Sequence, residues 1–193
     1  MAEAARKPGM TVAEFLAWDD GSDTRYELID GRPVAMAPAA SFHGTIVMNA
    51  GGAINRRLEA RPPCRSQGEA GVSLDDRSFY VADVAATCAP IANTPTVVDP
   101  FLIVEVLSPS TKAFDLQIKV KRYSRLASVA EIWLVDSERR WVQVWQRSGE
   151  VWIVRILEAE ESFASAALGD CVTLDEIYRN VTFEGPDSPA AGG

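Results

Sequence analysis

The sequence predicts one α+β domain built on a central mixed β-sheet flanked by helices. Three observations lead there. Segments of strand length and character, 69–74, 79–87 and 101–107, follow one another, with turn signals at Asp75-Asp76 and across 92–100. Residues 113–127 then have helical spacing and are followed by a buried strand, Ala130–Asp136. No internal repeat and no linker divides the chain, and 193 residues suffice for one domain with a substantial core.

Taken in order, residues 1–10 read as a flexible leader and 11–184 as the domain. Thr11-Val12-Ala13-Glu14 has the spacing of a capping box and opens a short helix through about Trp18. Arg25–Ile29 and Pro33–Ala37 flank Asp30-Gly31, a two-residue hairpin signal, and Pro33 assigns the second strand to a sheet edge. Segment 41–60 carries apolar residues at 46, 47, 50, 54 and 58, the spacing of a helix. Gly51 and Gly52 inside it cost roughly 1 kcal/mol each relative to alanine, and close packing is one reason to keep them. Beyond the strands and helix already given, Trp141, Val142, Val144 and Trp145 begin a more exposed strand. It pairs with 151–157 through Ser148-Gly149. A short helix near 174–179 and an extended piece at 181–183 complete the domain, and 185–193 has the composition of a disordered tail.

Composition excludes several classes. No apolar run approaches the roughly 20 residues of a transmembrane helix, and the N-terminus lacks the apolar core of a secretory signal. Cys64, Cys88 and Cys171 are far apart and outside any CxxC pair, so they read as free thiols of a reducing compartment, the cytoplasm. A net charge of −8 argues against a general nucleic-acid binder, which gains affinity by neutralising phosphates. Two local basic clusters remain, Arg56, Arg57, Arg61 and Arg65, and Lys119, Lys121, Arg122 and Arg125; the first reads as an ordinary solvated face. The single histidine, His43, rules out a multi-histidine metal centre within one chain, and no GxSxG, GxxxxGK[ST] or GxGxxG motif is present.

Carboxylates and lysines are left, the materials of magnesium-assisted phosphoryl chemistry. Glu105 interrupts the core-type run Phe101–Val106, and Asp83 interrupts YVADVAATC. A buried carboxylate needs a cation, hydrogen bonds or a metal. If the two strands neighbour one another, the two acids can meet, and Mg2+ suits a pair of carboxylates because it leaves its other positions to water and phosphate. The alternative is that each acid pairs separately with an arginine or sits at a sheet edge. On the following helix Asp115, Lys119 and Tyr123 recur every four residues, with Leu116, Val120, Tyr123 and Ala127 as the apolar face. Lys119 lies roughly 70° from the centre of that face and Lys121 roughly 130°, towards solvent. An Asp115–Lys119 pair in this spacing contributes only about 0.2–0.5 kcal/mol, so Lys119→Ala is expected to keep the fold.

At these residues the chain resembles a known family. An Asp in a strand, EVLSPST at 105–111, the D-x3-K-x3-Y of Asp115, Lys119 and Tyr123, and EIWLVD at 131–136 follow in order. YELIDG at 26–31 and His43 at the start of a helix precede them. The pattern is similar to that of the Uma-two-type restriction endonucleases, once labelled a domain of unknown function, within the PD-(D/E)XK superfamily. The resemblance covers about Thr11 to Phe183.

It implies a restriction-endonuclease-like fold and a nuclease that uses Mg2+ (or Mn2+) to hydrolyse phosphodiester bonds of nucleic acid, most of all DNA. Asp83 stands at the superfamily's PD aspartate, with Ala82 in place of the proline, and Glu105 at the acid of (D/E)XK. These two would hold the metal. Leu107 occupies the usual lysine position, and Lys119 looks like a lysine migrated to the next helix, with Lys112 as its competitor. Glu27, His43, Asp115 and Tyr123 are accessory positions; for His43 a packing or capping role is as well supported, and Tyr123 reads mainly as core. Related folds cut both strands as two-fold dimers, so a homodimer is expected, with the strand around Trp141 and Trp145 as its contact. The rival functions are a non-catalytic nucleic-acid- or protein-binding module that keeps the fold, and a structural or regulatory oligomer whose acids are ion-paired.

Overall fold

The structure, a computed structural model, describes residues 9–37, 41–109 and 112–183. The leader's first eight residues and the tail from 184 lie outside the described residues. Helix α1 is Val12–Leu16, with both bonds of the Thr11–Glu14 capping box in place. Strands β1 (Tyr26–Ile29) and β2 (Arg32–Ala35) form the hairpin, and its turn residues Asp30 and Gly31 have φ of 49° and 80°, the left-handed pair that favours Asp-Gly. Helix α2 is Ser41–Leu58. Strands β3 (Arg65–Asp75), β4 (Ser78–Thr87) and β5 (Leu102–Leu107) follow.

The helix after β5 is built from three consecutive pieces, Lys112–Phe114, a π-helical Asp115–Lys119 and Val120–Tyr123, together called α3. It ends four residues before the expected 127, and the π turn was not foreseen. Strands β6 (Glu131–Asp136), β7 (Trp141–Ser148) and β8 (Val151–Glu158) complete the main sheet. A separate ribbon of β9 (Ser162–Ser165) and β10 (Asp170–Thr173) leads into α4 (Leu174–Ile177). The extended piece at 181–183 has no strand partner among the described residues.

The main sheet runs β2-β1-β4-β5-β6-β7-β8, with β3 on β4. Only β5 and β6 are parallel, joined by the α3 crossover; every other pair is antiparallel. This is the α+β mixed sheet that the sequence predicts. Alternation on β5 divides the core: Leu102, Val104 and Val106 face α2 and α4, whereas Ile103 and Leu107 face α3. The helical face of α2 is the predicted one, since Ile46, Ala50, Ile54 and Leu58 are all buried. Close packing does not explain the two helical glycines. A Cβ on Gly51 would meet Ser66 Oγ at 3.8 Å and Val84 at 3.9 Å, ordinary contact.

The first arginine cluster serves the fold. Arg57 bonds Glu176 and Asp170, Arg56 bonds Glu176, Arg61 donates to the Ala167 carbonyl and Arg65 to that of Ala89. Burial would raise the Glu176 pKa, but the Arg57 hydrogen bond, the Thr173 N–H and Arg56 outweigh it and push this carboxyl down to about 2. Buried Glu131 accepts from Trp133 Nε1, Gln146 Nε2 and the Ala167 N–H, tying the ribbon to β6.

Two expectations are corrected here. Cys64 and Cys88 form a disulfide, leaving Cys171 as the free, exposed thiol. The β3–β4 register explains this: the ladder that pairs Arg65 with Thr87 sets Cys64 opposite Cys88 one step further on, so residues 24 apart become neighbours. The aromatic strand is also less exposed than expected. Trp141 is 8% exposed, its N–H and carbonyl both bonded to the Tyr178 hydroxyl, and Trp145 Nε1 is buried. Trp145 is half-buried, with its ring against Trp152. No helix among the described residues is long and apolar enough to cross a membrane.

Two outcomes follow from these contacts. Thiol titration of the native protein should find one reactive cysteine, and three after reduction and unfolding. Glu176→Gln should weaken the protein at neutral pH by about 1 kcal/mol or more, a Tm loss of about 2–4 °C. A carboxyl with a depressed folded pKa stabilises above its unfolded value and loses that contribution as it protonates. The gap between wild type and variant should therefore close as pH falls from the usual carboxylate range, 4.5, towards about 2 in thermal melts.

Candidate active site

The site lies where the sheet forks. One edge of β4 pairs with β1 only at Phe79↔Leu28, and with β5 only from Val84 onwards. Between these contacts the main-chain ladder is interrupted and carboxylates take over. Val81 N–H donates to Glu27 Oε1 at 2.8 Å, and Val106 N–H donates to Asp83 Oδ2 at 2.6 Å. Glu27 and Asp83 thus occupy positions where neighbouring backbone would otherwise bond.

Asp83 also marks a reversal of the strand's faces. Tyr80 packs against Phe114 and Tyr123 of α3, whereas Val84 packs with the α2 core, although an even separation should keep both on one face. Opposite Asp83 on β3, Glu69 has φ of 48°, and the register omits a pair between them. The kink turns the Asp83 carboxylate to where His43 Nε2, at the start of α2, lies 3.3 Å from Oδ1. The hydrogen bond to Asp83 raises the His43 pKa, against the opposing effect of burial, and the Val106 carbonyl adds to it.

On the α3 side, Lys119 Nζ lies 2.8 Å from Glu27 Oε1, 3.3 Å from Glu105 Oε1 and 3.6 Å from Asp115 Oδ1. All four residues are buried, none more than 7% exposed. The Tyr123 hydroxyl donates to Glu105 Oε1 at 2.7 Å, and the Tyr80 ring centroid lies 5.7 Å from Lys119 Nζ. Burial pushes the Glu105 pKa well above the usual carboxylate range; Lys119 opposes this, while Asp83, Asp115 and Glu27 add to it. Burial would lower the Lys119 pKa, but Glu105, Glu27 and Asp115 together raise it, so the ammonium stays charged. Burial likewise raises the Tyr123 pKa, with the Glu105 charge next in importance, so its hydroxyl keeps its proton.

The predicted residues therefore assemble as two adjoining groups. Lys119, Glu27, Glu105, Asp115 and Tyr123 form one, and Asp83 with His43 the other. Asp83 makes no direct bond to Glu105 or Lys119 among the described residues, but it holds the N–H of Val106, the residue after Glu105. Lys112, the competing lysine, instead pairs with Asp136 at 2.6 Å, at the end of β6. Arg122 is spoken for by Asp30 and Ser78. Lys119 is more deeply placed than helical geometry suggested, because the π turn alters the rotation between Asp115 and Val120, whose N–H bonds the Asp115 carbonyl five residues back. Sequence reasoning missed Tyr80, whose hydroxyl is buried without a hydrogen-bond partner among the described residues. No spacing signal marked it.

A divalent cation fits the chemistry of these donors. Four carboxylates, Glu27, Asp83, Glu105 and Asp115, share one lysine and one histidine, so negative charge is in excess beside a buried acid. Among the described residues no three His, Cys, Asp or Glu side chains form a ready cage. Mg2+ does not require one, because one or two carboxylates with water and phosphate complete its shell.

Comparison with known proteins adds the relatives of this architecture. The family model described as "Uma2: Putative restriction endonuclease" matches residues 12–175. "Uncharacterized protein slr1290" from Synechocystis sp. is 24% identical over 180 residues, covering 91% of this chain and 95% of the relative. "Uncharacterized protein sll1609" from the same organism is 27% identical over 168 residues, covering 79% and 90%. In structure, the chain is similar to a putative nuclease belonging to DUF820 from Anabaena variabilis. The TM-score is 0.73 at 16% identity, covering 88% of this chain and 97% of that one. That likeness extends to the fold.

The burial of Lys119 overturns the expectation that its removal is mild. Lys119→Ala leaves Glu27, Glu105 and Asp115 buried without their cation, which should cost about 3–5 kcal/mol at neutral pH. Adding Glu105→Gln should restore part of that loss. Denaturant titration of the single and double variants measures both.

Proposed function

The chain belongs to the Uma2 family of putative restriction endonucleases, and on that premise we propose that it is a metal-dependent endonuclease that hydrolyses phosphodiester bonds of DNA. The observation that carries this reading is the excess of carboxylate at the fork, where Asp83 and Glu105 lie on paired strands beside the buried Lys119 ammonium. Asp83 and Glu105 would hold Mg2+ (or Mn2+). A cation bound there supplies charge neutralisation for the scissile phosphate and lowers the pKa of water. Lys119 holds a proton in the site at all ordinary pH and offers an N–H donor to a non-bridging phosphate oxygen or to the attacking water. Tyr123 and Glu27 orient Lys119 and Glu105, and His43 orients the Asp83 carboxylate. The cation also supports a role on nucleic acid for an acidic protein, since the first arginine cluster is engaged within the fold.

We place the enzyme in the cytoplasm as a homodimer. The oxidised Cys64–Cys88 pair is the feature that this compartment must accommodate, because cytosolic thiols are held reduced. The non-catalytic binding module is the second reading, favoured by the Lys119 ammonium already paired with three carboxylates.

The test is cleavage of plasmid DNA with and without Mg2+ or Mn2+, in wild type, Asp83→Ala and Glu105→Ala. Each variant should lose roughly a hundredfold or more of a strictly metal-dependent activity. Calorimetric titration with Mn2+ should show weakened metal binding in the same variants. DNA binding that ignores metal, with no cleavage, would assign the chain to the binding module.

A further inference from the structure

The main sheet and its β3 flank have three open edges, and two of them are guarded. Strand β2 is four residues long and contains Pro33, features that blunt pairing with another chain. The free edge of β3 is covered at Gly71, which bridges Thr96 and accepts the Val97 N–H at 2.8 Å. Among the described residues strand β8 has no such protection. All eight of its residues pair with β7 on one side, leaving the other side as the sheet's edge. Val151 is 62% exposed, Ile153 47%, Val154 41% and Ile156 58%. Alternation puts the first two on one face and the last two on the other. An occupant must therefore supply both backbone partners and apolar side chains on two faces.

We propose that the outer edge of β8 pairs antiparallel with β8 of a second copy of this chain, about a two-fold axis at Ile153. Residues 184–193, EGPDSPAAGG, make a poor occupant, with two prolines and no large apolar residue. A second copy brings what the edge needs. Centring the pair on Ile153 sets Ile153 against itself, Val154 against Trp152 and the Arg155 stem against Val151. Glu158 then projects past the end of the partner strand, whose chain turns back at Gly149-Glu150, and the turn residue Glu150 lies beside Ile156. Shifting the centre to Val154 would oppose Glu158 to Glu150, and like charges directly opposed destabilise a sheet. The charge pattern thus selects the register. One strand pair is a small interface, below roughly 1,200 Å² in total, so association belongs in the micromolar range. Each chain carries −8, so screening their repulsion with salt should strengthen the dimer.

This inference does not depend on nuclease activity, and its test uses neither metal nor DNA. In sedimentation velocity at micromolar concentration, wild type should be a dimer whose fraction rises with NaCl. Ile153→Lys and Ile153→Glu, each with unchanged circular dichroism, should each be monomeric. Mixed in equal amounts they should form a dimer, because residue 153 faces itself across the axis. A monomeric wild type, a dimer of either variant alone, or a mixture that stays monomeric would overturn the proposal.

Discussion

The Lys119 ammonium is the interaction on which the centre of the molecule depends. It lies within 4 Å of carboxylates from three elements: Glu27 on β1, Glu105 on β5 and Asp115 on its own helix. None of those acids could be buried alone, and the lysine could not be buried without them. Their association fixes how α3 lies across the sheet and draws β1 towards β5 over a fork that backbone bonding does not close.

That fork shows how a scaffold can spend its own hydrogen bonds on chemistry. A regular β4 edge would satisfy Val81 and Val106 with neighbouring backbone. Here two carboxylates accept those protons, so Glu27 and Asp83 are oriented by the sheet rather than by loop packing. The left-handed Glu69 opposite Asp83 and the reversal of faces between Tyr80 and Val84 belong to the same local break. Rigid placement of acids on strands is what a site that positions a small cation requires.

Much of this was legible beforehand. The capping box, the Asp-Gly hairpin and the three-strand run depend on neighbours in sequence, and periodicity reads neighbours well. Asp83 and Glu105 stood out because each breaks an apolar strand, and Lys119 because of its spacing from Asp115 and Tyr123. What escaped depends on contacts across the fold. Glu27 was marked only through the likeness of YELIDG to the family; its bonds to the Val81 N–H and to Lys119 show only in the fold. Cys64 and Cys88 become partners only through the β3–β4 register. Trp141 and Trp145 looked exposed on an alternating strand, but Trp141 packs into the core on the α3 side with Arg139 over its ring, and Trp145 packs against Trp152. The depth of Lys119 was underestimated because a uniform turn of about 100° per residue was assumed for α3.

The π-helical Asp115–Lys119 segment carries a consequence for how relatives of this chain should be aligned. A helix that changes pitch partway makes residue counting an unsafe guide to structural equivalence. A homologue one residue shorter between its acidic strand residue and its lysine could close the turn as ordinary α-helix and present the same ammonium to the same pocket. Aligned by length alone, the two lysines would fall in different columns, and one protein would be scored as lacking its cation. Gaps in this helix are better placed by superposing the charged atoms than by matching letters.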